Sequence, residues 1–249
     1  MPGDAQQDAA RPGGQWFETT HWSVVLAAAR NDCDKASAAL EQLCRTYWYP
    51  LYAYVRRKGN NPEDAQDLTQ EFFARILENN SLSHARSERG RFRNFLLTSL
   101  QNFLTHEWER GQAQKRGGGR RLLPWDELTP ETRYTAEANS EAAPDRVFEE
   151  RWAATLFQQA LSRLRQEFVA AGKGQQFEEL KVLLSAEAED GDYDAIATRL
   201  NMTRKSVAVA VHRLRKRYGD MVRREIADTV SSPTEVEDEM RHLIELMGG

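Results

Sequence analysis

The chain has 249 residues, a formal net charge of −4, 40% hydrophobic and 29% charged residues, and a mean hydropathy of −0.70. That length fits one large or two small domains, and so charged a composition favours two small lobes with much surface. A membrane span is excluded, because the longest apolar run is the six residues from Val24 to Ala29, against about 20 needed to cross a bilayer.

The opening "MPGDAQQDAARPGGQ" has no basic segment leading into an apolar one, so no secretory signal is read and a cytoplasmic location is expected. Cys33 and Cys44 are the two cysteines. No His/Cys cluster at zinc spacing surrounds them, and both are read as reduced thiols.

Almost every periodic segment has helical spacing, so the expected fold is all-α: two small helical domains joined by a flexible linker. The first domain spans residues 16–110. In "ASAALEQLCRTYWYPLYAYVRRKGN", Leu40, Leu43, Tyr47, Tyr54 and Val55 share a face, with a kink expected at Pro50 and an end at Gly59. The next helix starts at Asn61 as N-cap, with Pro62 in the first helical position and Glu63 and Asp64 facing the positive end of the dipole. Its inward face is Ala65, Leu68, Phe72, Phe73, Ile76 and Leu77, and its outer stripe is Glu63, Asp67, Gln70, Glu71 and Glu78. Such a stripe repels DNA and suits solvent or a basic protein surface.

After "NNSLSHARSERG" comes a helix from Arg91 to Arg110 with Phe92, Phe95, Leu96, Leu100, Phe103 and Leu104 inward. Its other side is an uncharged stripe of Asn94, Thr98, Gln101, Asn102 and Thr105, framed by Arg91, Arg93 and Arg110. Amides read base edges and arginines hold phosphates, so this face is a candidate for an opened DNA strand; Trp108 is a candidate for base stacking or for ordinary packing.

Residues 111–144 contain a glycine triplet, several prolines and no sustained period, and are read as the linker. The second domain, 145–230, begins with a helix whose face is Phe148, Trp152, Leu156, Leu164 and Phe168, followed by a helix near Phe177 to Ala188. In "DYDAIATRLNMTRKSVAVAVHRLRKRY", Ile196, Ala197 and Leu200 form a short inner face, Asn201 takes the turn, and Thr203 caps a second helix packed through Val207, Val211, Leu214 and Tyr218. Two helices around so short a turn match a helix-turn-helix. From Met202 to Arg224 eight Lys and Arg stand against Asp220, a local charge of +7, which seeks phosphate. Residues 231–249 form an acidic amphipathic extension with Val236, Met240, Leu243 and Met247 apolar. Its open roles are holding the lobes together, binding a regulator or masking the basic helix, and local docking is the ordinary fate of so short a helix.

Together these segments resemble the extracytoplasmic-function class of bacterial RNA polymerase sigma factors. "NPEDAQDLTQEFFARIL" looks like the polymerase-binding helix, "RFRNFLLTSLQNFLTHEWER" like the helix that reads and melts the minus-ten element, and "DYDAIATRLNMTRKSVAVAVHRLRKRY" like the minus-thirty-five module. The resemblance implies that Asp67, Gln70 and Glu71 contact polymerase. It places Arg91, Arg93, Asn94, Thr98, Gln101 and Asn102 on minus-ten DNA, with residues 80–90 as a base-capturing loop. It places Arg204, Lys205, Ala208, Val209 and His212 at base edges of the minus-thirty-five element, and Ser206, Arg213, Arg215 and Lys216 nearer phosphate.

The implied partners are core RNA polymerase and promoter DNA, with an anti-sigma factor or another regulator as a further candidate. No catalytic residue, cofactor or metal is implied, and catalysis would belong to polymerase. Two departures stand out: the insertion "AAGKGQQFEELKVLLSAEAEDG" ahead of the helix-turn-helix, and Asn201 where the family usually has glycine. The competing reading is a stand-alone helix-turn-helix repressor or activator. An enzyme is disfavoured because no G-x-x-x-x-G-K-[ST], H-E-x-x-H or G-x-S-x-G occurs.

Overall fold

A computed structural model of the chain describes residues 33–78, 91–113, 130–137, 142–184, 190–230, 232 and 234–248. Among these residues the fold is all-α, with nine α-helices and no strand. They are α1 (Cys33–Arg57), α2 (Pro62–Glu78), α3 (Phe92–Ala113), α4 (Pro130–Ala136), α5 (Pro144–Ala170), α6 (Gly174–Leu180), α7 (Asp190–Arg199), α8 (Arg204–Ala227) and α9 (Glu235–Gly248). A single 3₁₀ turn, Lys181–Leu183, follows α6.

Local chemistry sets the helix ends. α1 runs through Pro50 without interruption and stops at Gly59, whose φ of 95° suits a residue without a Cβ. The Asp64 amide donates to Asn61 Oδ1 at 2.8 Å, so Asn61 caps α2 as the sequence predicts.

α1 is the central element. It packs along α5 and against α2, and touches α3 through Tyr47. Tyr47 lies edge-on to Phe92 of α3 at 5.4 Å, and Phe72 of α2 meets Phe103 of α3 at 5.7 Å. Across the α1–α5 seam, Thr46 and Gln159 approach to 3.4 Å, while Tyr47, Phe148 and Trp152 are fully buried. Removing a ring such as Trp152 from this seam would cost about 3–5 kcal/mol. The buried residues from Leu43 to Leu243 thus form one continuous core.

The expected linker is helical in part. α3 continues to Ala113, and α4 docks on α1: Glu131 accepts from Tyr52 Oη at 2.6 Å and pairs with Arg56 at 2.7 Å, and Glu137 accepts from Tyr49 Oη at 2.6 Å. The Arg133 guanidinium sits 3.8 Å from the centre of the Tyr49 ring. The unbroken spread of Gly, Pro and polar residues had hidden this seven-residue helix, which carries no buried residue of its own and is held by side-chain bonds to α1. Of the helix expected over Phe177–Ala188, the described part is α6 and its 3₁₀ turn, with Phe177, Leu180 and Leu183 buried, and residues 185–188 lie outside the described residues.

α8 ends against a pair of carboxylates that share one arginine. Arg163 Nε of α5 meets buried Glu225 at 2.9 Å. Burial pushes Glu225 above the usual carboxylate range, with Arg163 opposing. Burial likewise pushes Asp228, at the C-cap of α8, up to about 6. A carboxylate at a helix C-terminus is also disfavoured by the dipole. Because the folded value exceeds the unfolded one, the proton favours the fold. That stabilisation is complete below about pH 4 and is lost as pH rises through about 6. Asp228→Asn should therefore raise the melting temperature at pH 7 by a few degrees, roughly what 1 kcal/mol gives. The gain over wild type should vanish near pH 4 in paired thermal melts.

Candidate polymerase and nucleic-acid interfaces

The outer stripe of α2 is formed as expected. Its apolar residues Ala65, Phe72, Phe73 and Ile76 turn into the core, which leaves Asp67 and Glu71 exposed and Gln70 half-buried. Glu71 pairs with Arg75 at 2.8 Å. Arg75 also reaches Glu107 of α3 at 2.7 Å and lies over the Phe103 ring. The stripe is therefore held on a rigid pair of helices and presents carboxylates outward.

On α3, Asn94, Thr98 and Asn102 are exposed, one turn apart along a single face, with no partner among the described residues. Gln101 is half-buried and donates to Asp145 of α5 at a long 3.4 Å. Trp108 is 67% exposed. The base-capturing loop expected over residues 80–90 lies outside the described residues.

Arg91 and Arg93 differ from expectation. Arg93 is only 3% exposed: its Nε donates to Glu149 Oε1 of α5 at 2.9 Å, its Nη1 pairs with Glu239 Oε1 of α9, and its guanidinium lies 4.5 Å from the centre of the Trp152 ring. Arg91 pairs with the other oxygen of the same carboxylate, Nε to Glu239 Oε2 at 3.0 Å. Burial pulls the Arg93 guanidinium below its ordinary range, against the opposing pull of Glu149. Neither arginine is free to hold a phosphate in this arrangement.

The sequence held a signal for this. Arg93 precedes Leu96 and Leu100 at i+3 and i+7, which puts it on the apolar face of α3, and Glu239 stands among Val236, Met240 and Leu243 on the apolar face of α9. Charges in apolar stripes at helical spacing face each other or a buried partner. Glu239 is the residue this pattern points to, whereas Glu149 and His242, which meet at 3.1 Å, lie off the apolar stripes and carry no such signal.

The α7–α8 pair is built as predicted. α7 closes with the Met202 amide donating to Ala197 O at 2.9 Å and the Asn201 amide to Thr198 O at 3.3 Å. Asn201 takes φ 50°, the left-handed position of a Schellman turn that an asparagine tolerates. Thr203 caps α8, accepting from the Ser206 amide at 3.1 Å. Val207, Val211 and Leu214 are buried and Tyr218 is half-buried, its hydroxyl donating to Phe157 O at 3.2 Å.

This packing turns Arg204, Lys205, Ser206, Ala208, Val209, His212, Arg213, Arg215 and Lys216 toward the surface. Arg204 faces Asp194 at 3.6 Å. Lys205, His212, Arg213 and Lys216 have no partner among the described residues. Gln176 of the inserted segment, with Met202, Thr203, Lys205, Ser206, Val209, Ala210 and Arg213, borders an open concavity of about 440 Å³.

Arg215 is the exception on this face. Its Nε and Nη2 donate to Leu183 O at 3.1 and 2.7 Å, so it braces the inserted segment against α8 instead of standing free beside phosphate. Arg215→Ala should lower stability by about 1–2 kcal/mol, whereas Lys216→Ala should leave it within about 0.5 kcal/mol; denaturant unfolding of the two variants checks the contrast.

Residues 43–114 match the family model described as sigma-70 region 2. The matched stretch takes in most of α1 and all of α2 and α3, so this part of the chain is similar to sigma-70 region 2. No curated protein and no solved structure matches the chain. Among the described residues no helix is long and apolar enough to cross a membrane, and no cluster of His, Cys, Asp and Glu could hold a metal.

Proposed function

We propose that the chain is an extracytoplasmic-function type sigma factor that binds core RNA polymerase, directs it to promoters and assists opening of the DNA. The observation that carries this reading is the sigma-70 region 2 match over 43–114, followed along the chain by a capped, basic helix-turn-helix. The carboxylate and amide stripe of Asp67, Gln70 and Glu71 docks on a basic polymerase surface. Asn94, Thr98, Gln101 and Asn102 meet the opened minus-ten strand, where amides can pair with unstacked base edges.

α8 enters the major groove of the minus-thirty-five element with its N-terminal residues leading. Arg204, Lys205, Ala208, Val209 and His212 lie at base edges, and Ser206, Arg213 and Lys216 lie nearer phosphate. The small side chains of Ser206, Ala208 and Ala210 let the helix backbone approach closely. An anti-sigma protein remains a further partner class, and the protein would act in the cytoplasm, where polymerase and promoters are.

In vitro transcription with bacterial core polymerase and the purified chain, read by sequencing the transcripts, should yield defined start sites that core polymerase alone does not use. Duplex binding by the chain alone as a dimer, with half-sites one helical turn apart and no effect on initiation, would instead make it a stand-alone regulator. Asp67→Arg with Glu71→Arg should abolish co-purification with core polymerase while leaving the melting temperature within a few degrees; unchanged co-purification removes the α2 assignment.

The α8 assignment separates two residue classes. Arg213→Ala should weaken binding to all promoters alike and reduce the salt slope by about one unit. Lys205→Ala should change which bases are preferred, at about 1–3 kcal/mol for a good contact. Binding isotherms over a salt series and a set of promoter variants distinguish the two.

A further inference from the structure

The arginines that open α3 and the carboxylate that holds them come from opposite ends of the chain. Arg91 immediately precedes α3, its carbonyl accepting from the Asn94 and Phe95 amides at 3.1 and 3.3 Å, and Arg93 lies in the first turn. A helix N-terminus with two arginines is a site for an anion bearing two oxygens. Glu239 of α9 supplies such an anion. It is 0% exposed and gives one oxygen to Arg91 and the other to Arg93, in the manner that the two free oxygens of a phosphodiester would be held.

α9 itself has modest anchorage. It is a 14-residue helix, a length at which an isolated helix is marginal in water. Val236, Met240 and Leu243 are buried, while Ile244 and Met247 remain exposed. Two further polar contacts complete its hold: the Arg223–Glu237 ion pair to α8 at 2.8 Å and the His242–Glu149 hydrogen bond to α5 at 3.1 Å. α9 thus links the basic helix α8, the central helix α5 and the start of α3.

We propose that α9 is an autoinhibitory clasp, with the Glu239 carboxylate occupying the Arg91–Arg93 anion site until α9 leaves and a DNA phosphate takes its place. This rests on the sigma-factor reading of α3. The basic helix α8 keeps Lys205, Arg213 and Lys216 unpaired among the described residues, so the clasp silences the minus-ten surface and leaves the minus-thirty-five surface exposed. A ligand that binds only the open form shifts the population by its full differential affinity. Docking on polymerase and engagement of DNA by α8 are two such events, and both act before α3 meets a strand.

The test uses the full-length chain with Glu239→Gln, which keeps the shape of the side chain and removes its charge. The probe is a random-sequence single-stranded oligodeoxynucleotide. The variant should bind it about tenfold more tightly than wild type. Its dependence on log salt should be steeper by about 0.7 units, since Arg91 is released while Arg93 keeps Glu149, and one released cation contributes about 0.7 on a single strand. Adding Arg91→Ala to Glu239→Gln should cancel that extra slope. Equal affinity and equal slope for wild type and Glu239→Gln would overturn the proposal, because a merely structural ion pair would lower stability without raising affinity.

A second measurement needs no variant. Hydrogen exchange on the wild-type chain should show α9 amides losing protection when bacterial core polymerase and a fork-junction DNA are added; retained protection in that complex would also overturn the clasp. Failure of wild type to bind core polymerase at all would count against the sigma-factor reading, and the oligonucleotide comparison would still decide the fate of the clasp.

Discussion

Everything in this molecule is hung on the seam between α1 and α5. The buried rings of Tyr47, Phe148 and Trp152 join helices that are about 90 residues apart in sequence into one core. The apolar area lost from water there is the main source of stability available to a chain with so high a charge fraction. α2 packs on α1, α6 and α8 pack on α5, and α9 reaches α5, α8 and the start of α3. The α1–α3 segment and the α7–α8 pair are therefore joined by one packed core, with α4 strapped across α1 by Glu131 and Glu137.

Charge is distributed on this frame by a simple rule. Where a cation is close to the seam it is paired: Arg93 is stacked on Trp152 and shared by Glu149 and Glu239, because an unpaired charge in that environment would cost several kcal/mol, about 3–5 on breaking such a pair. Where a cation projects from α8 away from the core, as Lys205, Arg213 and Lys216 do, it is left to solvent and keeps its long-range field. A net acidic protein can in this way carry a strongly basic helix. Its surplus acids lie on α2 and on α9, and in each of these helices five carboxylates stand against a single arginine.

Most of the fold was legible because its signals are local. Asn61 and Thr203 as caps, Gly59 and Asn201 as left-handed stops, and the Val207–Val211–Leu214 face all followed from side-chain chemistry within four residues. α4 was missed, since its bonds run to Tyr49, Tyr52 and Arg56 some 75 to 88 residues away and leave no period in its own seven residues. Arg91, Arg93 and Arg215 were placed by charge alone, which does not distinguish a cation awaiting phosphate from one already satisfied by Glu239 or by Leu183 O. Met247, apolar in the sequence of α9, remains exposed. Cys44, whose thiol burial pushes up to about 11, is a free cysteine, as its unclustered sequence context suggested.

The most direct test of a single frame carrying both α3 and α8 is the distance between spin labels placed at Asn102 on α3 and His212 on α8, both exposed and clear of the core. In the free chain a shared α1–α5 core requires one narrow distance distribution, which Trp152→Ala should broaden. A distribution already as broad in the wild-type chain as in a flexibly tethered pair of domains would contradict the account.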